Sequence, residues 1–87
     1  GNNYVGKAYP NPANTTVSIP FTLSRDAVVT VTLSNVMGQL LTTETINATG
    51  GKAGKATFAT TSLPDGVYLY SLAFNGQHAN GRIVVAH

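Results

Sequence analysis

The side chains that could perform acid–base, nucleophilic or metal chemistry are few in this sequence. Its 87 residues contain two histidines, His78 and His87, and three acids, Asp26, Glu44 and Asp65. A Ser-His-Asp triad would have to recruit an acid from a turn, without a nucleophile elbow. Two histidines with no adjacent acid are too few ligands for zinc. We expect no catalytic site, metal or cofactor, and two exposed histidines, one on a strand and one at a frayed terminus.

The tyrosines raise the alternative of a carbohydrate-binding surface. Aromatic rings on a β-sandwich can stack on sugars, and the chain carries four tyrosines, Tyr4, Tyr9, Tyr68 and Tyr70. Tyr68 and Tyr70 share one face of a predicted strand. The same strand face also carries Leu72 and Phe74. A face with this many large apolar side chains is typical of a core. We expect Tyr68 and Tyr70 to be core residues, and a sugar-binding role stays open as the alternative.

Charge is sparse and dispersed along the chain. Asp, Glu, Lys and Arg make up 9% of the residues, the formal net charge is +2, and cysteine is absent. Such dispersed charges form no basic patch, which argues against nucleic acid as a partner. Lys52 and Lys55 stand among glycines, but no strand-to-helix junction of a phosphate-binding loop follows them. We expect a solvated loop there, and no small-molecule substrate.

The composition that must position these side chains favours strands over helices. Twelve threonines, nine glycines and a single glutamate oppose helix formation, while 43% of the residues are hydrophobic. The chain begins at Gly1 rather than Met, which we expect of a piece of a longer precursor. A chain of this length supports one small core, so we expect one all-β domain.

Period-two alternation predicts the individual strands. Residues 16–23 and 27–34 alternate apolar with polar side chains, a strand of the same length follows over residues 39–46, and a short strand follows over residues 55–60. Pro20 has no N–H for a ladder bond, which predicts an edge strand or a bulge. A flexible loop is expected over residues 47–54.

Turn signals separate these strands. Gly38 follows Asn35 in the pattern of a hairpin whose glycine takes the left-handed position. Pro64 and Gly66 stand in the pattern of a tight turn. Asn75-Gly76 is the signature of a two-residue type I′ hairpin, which would pair the strands before and after it.

The terminal hairpin has two apolar faces under this register. Tyr70 would lie over Gly81 on the inward face, unless Asn80-Gly81 forms a bulge. Outward, Val67 would face Val84 and Leu69 would face Arg82. We expect Val67, Leu69 and Val84 to point away from the core, where a partner could bind them; the alternative is that the segment around Tyr9 covers them.

Together these patterns predict an all-β fold, an immunoglobulin-like antiparallel β-sandwich of about seven strands. We assign residues 1–8 to a linker and residues 9–87 to the domain. A proline motif, Tyr9-Pro10-Asn11-Pro12, would form a rigid bend at their junction.

Four motifs, in this order and spacing, carry a resemblance to a known family. They are Tyr9-Pro10-Asn11-Pro12-Ala13, then Val29-Thr30-Val31-Thr32-Leu33 leading into Asn35-Val36-Met37-Gly38-Gln39-Leu40, then Leu63-Pro64-Asp65-Gly66-Val67-Tyr68, and finally Gly81-Arg82-Ile83-Val84-Val85. The chain from Tyr9 onward resembles the type A C-terminal sorting domain of the type IX (Por) secretion system of Gram-negative bacteria.

The resemblance implies a domain that directs an N-terminal cargo protein from the periplasm through the outer-membrane translocon. It implies a shuttle barrel and a sortase-like protease as partners, removal of the domain by that protease, and a final location at the cell surface or in the medium. Recognition would fall on the final strand and a nearby surface: Gly81, Arg82, Ile83, Val84, Val85, Val67 and Leu69. The alternative is a non-catalytic accessory or carbohydrate-binding module of a secreted enzyme.

Overall fold

Seven strands follow one another in the computed structural model, which describes residues 3–87. Their bounds are β1 Tyr4–Val5, β2 Thr16–Thr22, β3 Ala27–Asn35, β4 Leu40–Ala48, β5 Ala53–Ala59, β6 Gly66–Phe74 and β7 Gln77–Val85. They form a three-stranded sheet of order β1-β2-β5 and a four-stranded sheet of order β4-β3-β6-β7, both antiparallel. The predicted all-β fold is confirmed, and it is consistent with an immunoglobulin-like sandwich.

The core lies between the two sheets because each long inner strand alternates as the sequence predicts. On β3, Val29 and Val31 are fully buried, whereas Val28 beside them is 58% exposed. The side chains of a strand point alternately to its two faces, so one face of β3 belongs to the core and the other to solvent. The buried apolar residues are Ala8, Ala13, Val17, Ile19, Phe21, Leu23, Val29, Val31, Leu33, Ala56, Phe58, Tyr68, Tyr70, Leu72, Phe74, Ile83 and Val85.

Pro20 lies in the middle strand of the smaller sheet and not in an edge strand. The N–H and C=O of Ser18 both bond to Tyr9, and the C=O of Pro20 accepts a bond of 2.8 Å from the N–H of Gly6. Every second residue of β2 therefore turns its backbone toward this N-terminal segment, and Pro20 is one of them. The ladder to β5 loses no bond, which explains how a proline is tolerated there.

The β3–β4 hairpin is confirmed, and the Asn35 side chain organises it. Its Oδ1 accepts bonds of 3.0 Å from the N–H groups of both Met37 and Gln39. Gly38 has a φ of 84° and donates its N–H to the carbonyl oxygen of Asn35 at 3.0 Å. The left-handed residue is a glycine because a Cβ is strongly disfavoured in that conformation.

The connection from β5 to β6 differs from the predicted tight turn at residues 63–66. The turn bond closes earlier, from the N–H of Leu63 to the carbonyl oxygen of Thr60 at 3.1 Å. Pro64 instead uses its carbonyl oxygen to accept the Tyr68 hydroxyl at 2.6 Å. This bond resembles the tyrosine corner of immunoglobulin-like sandwiches, in which a buried ring ties a strand to the backbone before it. The loop expected over residues 47–54 is also shorter, because β4 ends at Ala48 and β5 begins at Ala53.

Residues 4–8, assigned to the linker from sequence, lie against the sandwich. Tyr4 and Val5 pair with Thr22 and Phe21 of β2, and Ala8 is buried. A strand of two residues is too short to show a period, so no sequence pattern predicted β1. The linker residues 1 and 2 lie outside the described part of the chain.

We predict that Asn35→Ala lowers the free energy of unfolding by about 1 kcal/mol, because the N–H groups of Met37 and Gln39 lose their acceptor. Urea denaturation followed by circular dichroism measures this difference. Asn47→Ala is the matched control, since Asn47 is an exposed asparagine of β4 with no side-chain hydrogen bond among the described residues. Equal stabilities of the two variants would contradict the role given to Asn35.

Candidate functional site

The Asn75-Gly76 turn fixes the terminal hairpin that carries most of the candidate residues. Both turn residues have positive φ, 49° at Asn75 and 74° at Gly76, as a type I′ turn requires. From this turn the pairing runs unbroken from Phe74 opposite Gln77 to Gly66 opposite Val85. The predicted register is confirmed, and no bulge occurs at Asn80-Gly81; the described sheet shifts register elsewhere, between Leu33 and Ser34.

The outward face of this hairpin carries three of the candidate side chains. Val67 faces Val84 and Leu69 faces Arg82 across the β6–β7 pair. Val67 is 37% exposed and Leu69 is 41% exposed, while Val84 is half-buried. The three apolar side chains point away from the core, as the register predicts.

The N-terminal segment reaches this hairpin at its edge and leaves Val67 and Leu69 exposed. Ala13 donates its N–H to the carbonyl oxygen of Val84 at 2.7 Å and accepts the N–H of Ala86 at 2.9 Å. The Asn11 side chain adds a bond of 2.9 Å from the N–H of Val84. The segment 11–13 therefore lies beside β7 and adds a short parallel bridge, between Ala13 and Val85, to the edge of the sheet.

The other candidate residues of β7 face inward. Ile83 and Val85 are each 1% exposed and belong to the core. Gly81 lies under the Tyr70 ring, so closely that a Cβ at this position would collide with the ring and its hydroxyl. The side chains of Ile83 and Val85 are thus unable to touch a docking partner, and they hold β7 in place for Arg82 and Val84.

Sequence reasoning missed a further part of the apolar surface. Leu40 of β4 and Leu69 of β6 are the cross-strand neighbours of Ser34 on its two sides, and Leu40 is 61% exposed. Partners in register share a face, so Leu40 extends the apolar surface across β3. We call the side chains of Leu40, Val67, Leu69 and Val84 the outer patch.

The turn beside this surface is apolar as well. Val36 is 65% exposed and Met37 is 82% exposed at the tip of the β3–β4 hairpin. Turns usually carry polar side chains, so two large apolar residues inside a predicted turn were the sequence signal that could have indicated this exposed apolar surface.

The C-terminal histidine is held by the domain, contrary to the frayed terminus predicted from sequence. The two ring nitrogens of His87 lie 2.7 Å from Asn14 Oδ1 and 2.8 Å from the carbonyl oxygen of Leu63. Its backbone N–H donates to Asp65 at 3.1 Å. These contacts join the C-terminus to two loops that are distant in sequence.

Within residues 3–87 there is neither a group of three or more metal-ligating side chains nor a helix long and apolar enough to cross a membrane. Of the four tyrosines weighed as a sugar platform, Tyr4 and Tyr9 are 58% and 49% exposed, whereas the pair on one strand face lies in the core, as predicted. Tyr68 is 6% exposed and Tyr70 is 8% exposed. Their ring faces are therefore not free to stack on a ligand.

These features define a class of protein: an immunoglobulin-like sandwich of seven strands with an exposed apolar patch beside a sheet edge. The model of the family described as the secretion system C-terminal sorting domain matches residues 7–86. The chain belongs to this family, which confirms the resemblance to type IX sorting domains. It is a C-terminal sorting signal, non-catalytic in itself, that the type IX machinery recognises for secretion to the cell surface or extracellular space.

A solved structure shows the same fold. Dimeric latent PorU from Porphyromonas gingivalis matches with a TM-score of 0.75 and 18% sequence identity. The match covers 98% of this chain and 9% of the PorU chain, so this chain corresponds to a small part of that protein. None of the curated proteins compared shows significant similarity to this chain.

We predict that Tyr70→Ala lowers the free energy of unfolding by about 3 kcal/mol or more, because it leaves a cavity above Gly81. Urea denaturation again provides the measurement. Tyr9→Ala is the control, since the Tyr9 side chain is 49% exposed, and its effect should stay within about 0.5 kcal/mol. A Tyr70→Ala protein that keeps the wild-type stability would contradict the core assignment.

Proposed function

We propose that this domain carries a cargo from the periplasm through the outer-membrane translocon by docking on a shuttle barrel through the outer patch. In this proposal a sortase-like protease of the same system removes the domain after passage. Membership of the sorting-domain family supports the route. The observation that carries the docking step is the outer patch itself.

The outer patch differs from a chance scatter of exposed apolar residues. Val67 and Val84 are direct cross-strand partners, Leu69 follows Val67 on the same face, and only Ser34 separates Leu69 from Leu40. Contiguous apolar surface at one end of a sheet face is characteristic of interaction sites, because its burial against a partner removes it from water.

Several of the candidate residues contribute to docking by holding the patch rather than by touching the partner. Gly38 closes the hairpin that precedes Leu40, and Asn75-Gly76 sets Val84 opposite Val67. Gly66 opens β6, where its φ of 155° lies at the limit of the region that favours glycine.

The proline motif contributes in the same indirect way. Asn11 accepts the N–H of Val84 at 2.9 Å and donates to the carbonyl oxygen of Arg82 at 3.4 Å. These bonds tie the C-terminal end of β7 to the N-terminal segment. We infer that the functional unit therefore includes residues 4–8 together with the assigned domain 9–87.

The route predicts a gain of export. A reporter that carries an N-terminal export signal and residues 1–87 at its C-terminus should reach the surface of a host with a type IX system. Surface proteolysis and fractionation measure the exported share. The same reporter without residues 1–87 is the control, and equal periplasmic retention of both reporters would refute the route.

The docking step predicts a charge-sensitive surface. Leu69→Asp should reduce the export rate of this reporter by roughly tenfold, because the partner would bury an unpaired charge. Val28→Asp is the matched control: Val28 is 58% exposed on the same sheet face, but on β3 at the other end. Both variants should fold, since each side chain stays in contact with water.

Circular dichroism melting of each variant establishes folding before export is compared. If a folded Leu69→Asp reporter is exported as fast as the Val28→Asp reporter, the outer patch is not the docking surface.

A further inference from the structure

The outer edge of β7 is only partly covered by the chain itself. In an antiparallel pair the N–H and C=O of one residue point to the same side. Those of Val84 point away from β6, because they bond to Asn11 and Ala13. Every second residue before it, Arg82, Asn80 and His78, directs its backbone to the same side.

The coverage stops partway along this edge. Asn11 reaches the carbonyl oxygen of Arg82 at 3.4 Å, and the N-terminal segment then turns toward β2, where Tyr9 bonds to Ser18. No hydrogen bond from the described residues reaches the outward backbone groups of Asn80 and His78. A strand edge in this state can pair with another extended chain.

A groove runs beside the uncovered stretch. It has a volume of about 630 Å³ and lies between the N-terminal segment and β7. Lys7 and Arg82 line it from the two sides, Asn80 lines it along the edge, and Tyr70 and Gly81 contribute to its floor.

The groove carries positive charge without an acid to balance it. It holds two of the five Lys and Arg residues of the chain, Lys7 and Arg82. The three acids lie elsewhere: Glu44 lines a groove between β4 and β5, Asp26 bonds to the N–H of Gly50, and Asp65 bonds to the N–H of His87. The occupant that complements this charge carries an anionic group, and the anionic group of an extended peptide is a carboxylate.

We propose that the uncovered edge of β7 binds an extended acidic segment of the secretion machinery as an added strand. The segment pairs with the outward backbone groups of His78 and Asn80 and with the N–H of Arg82, and one of its carboxylates lies between Lys7 and Arg82. That the partner belongs to the secretion machinery rests on the proposed function. That the groove binds an acidic extended segment rests only on its backbone groups and its two cations.

An added strand would use both the cations and the unpaired backbone groups of the groove, whereas a free anion would use only the cations. A free anion would engage only the two cations and leave the backbone groups of Asn80 unpaired. Strand addition uses the ladder for affinity and neighbouring side-chain sites for specificity. The edge of β4, by contrast, carries Glu44 and no cation among its residues, so it would repel the same segment.

The test is an NMR titration of the 87-residue chain with a synthetic peptide of sequence Thr-Val-Thr-Glu-Thr-Val-Thr, whose two ends are chemically blocked. We expect amide shifts over residues 78–82 and slower amide hydrogen exchange at Asn80 and Arg82, whose N–H groups point outward. Gly81 should keep its exchange rate because its N–H already faces β6.

Two matched comparisons isolate the charge. The double variant Lys7→Gln/Arg82→Gln should bind the peptide roughly tenfold more weakly, since charge-assisted bonds are lost. Lys52→Gln/Lys55→Gln removes the same charge from exposed positions of another loop and strand, and it should bind like the wild type. A peptide with Gln in place of Glu should lose affinity to the same extent as the first double variant.

Four outcomes would overturn the proposal. They are the absence of binding, equal affinity for the Glu and Gln peptides, equal losses in the two double variants, and shifts that centre on β4. Inorganic phosphate at the same concentration separates a free-anion site from strand addition. If phosphate shifts Lys7 and Arg82 and displaces the peptide, while the exchange of Asn80 never slows, the groove is an anion site only.

Export measurements keep this inference distinct from the proposed function. If the wild-type reporter fails to reach the surface, the route fails whatever the peptide does. If the wild-type reporter is exported and folded Lys7→Gln/Arg82→Gln is exported equally fast, the groove does not bind the machinery.

Discussion

The two positive φ angles at Asn75 and Gly76 are the constraint on which the candidate surface depends. A two-residue turn leaves no freedom in how β6 and β7 pair, so every later residue of β7 has one possible partner. A slip by one residue would exchange the two faces of β7. Val84 would then enter the core, and Ile83, now 1% exposed, would face water. The identity of the outer patch is therefore decided by backbone conformation at two positions.

The same register explains why a glycine occupies the middle of β7. Tyr70 lies across from residue 81 and fills the space that a Cβ would need. The ring supplies apolar burial on the inward side, and the missing side chain lets the backbone of β7 run close beneath it. A weak strand residue is thus compensated by its partner. The neighbours Arg82 and Asn80 remain available on the outside, beside the groove that Lys7 lines.

Sequence patterns predicted the features that are decided locally. The alternation in β2 and β3, the Asn35 hairpin and the Asn75-Gly76 register all depend on residues a few positions apart. The features that were missed depend on chain segments meeting from far away. Pro20 is acceptable in a middle strand only because of where Gly6 and Tyr9 lie, and His87 is held by Asn14 and Leu63. Nothing near these residues in the sequence encodes such contacts.

The outer patch depends both on local sequence patterns and on contacts between distant segments, which bears on how a partner can recognise a sorting signal of this kind. Val67, Leu69 and Val84 were predictable from one hairpin, whereas Leu40 joins them only through the pairing of β3 with β4 and β6. Leu40 and Val84 come from strands at opposite edges of the four-stranded sheet. An unfolded tail would present these side chains far apart and in no fixed arrangement. If the machinery recognises this surface, it recognises a folded domain, and the stability of the domain becomes part of the signal itself.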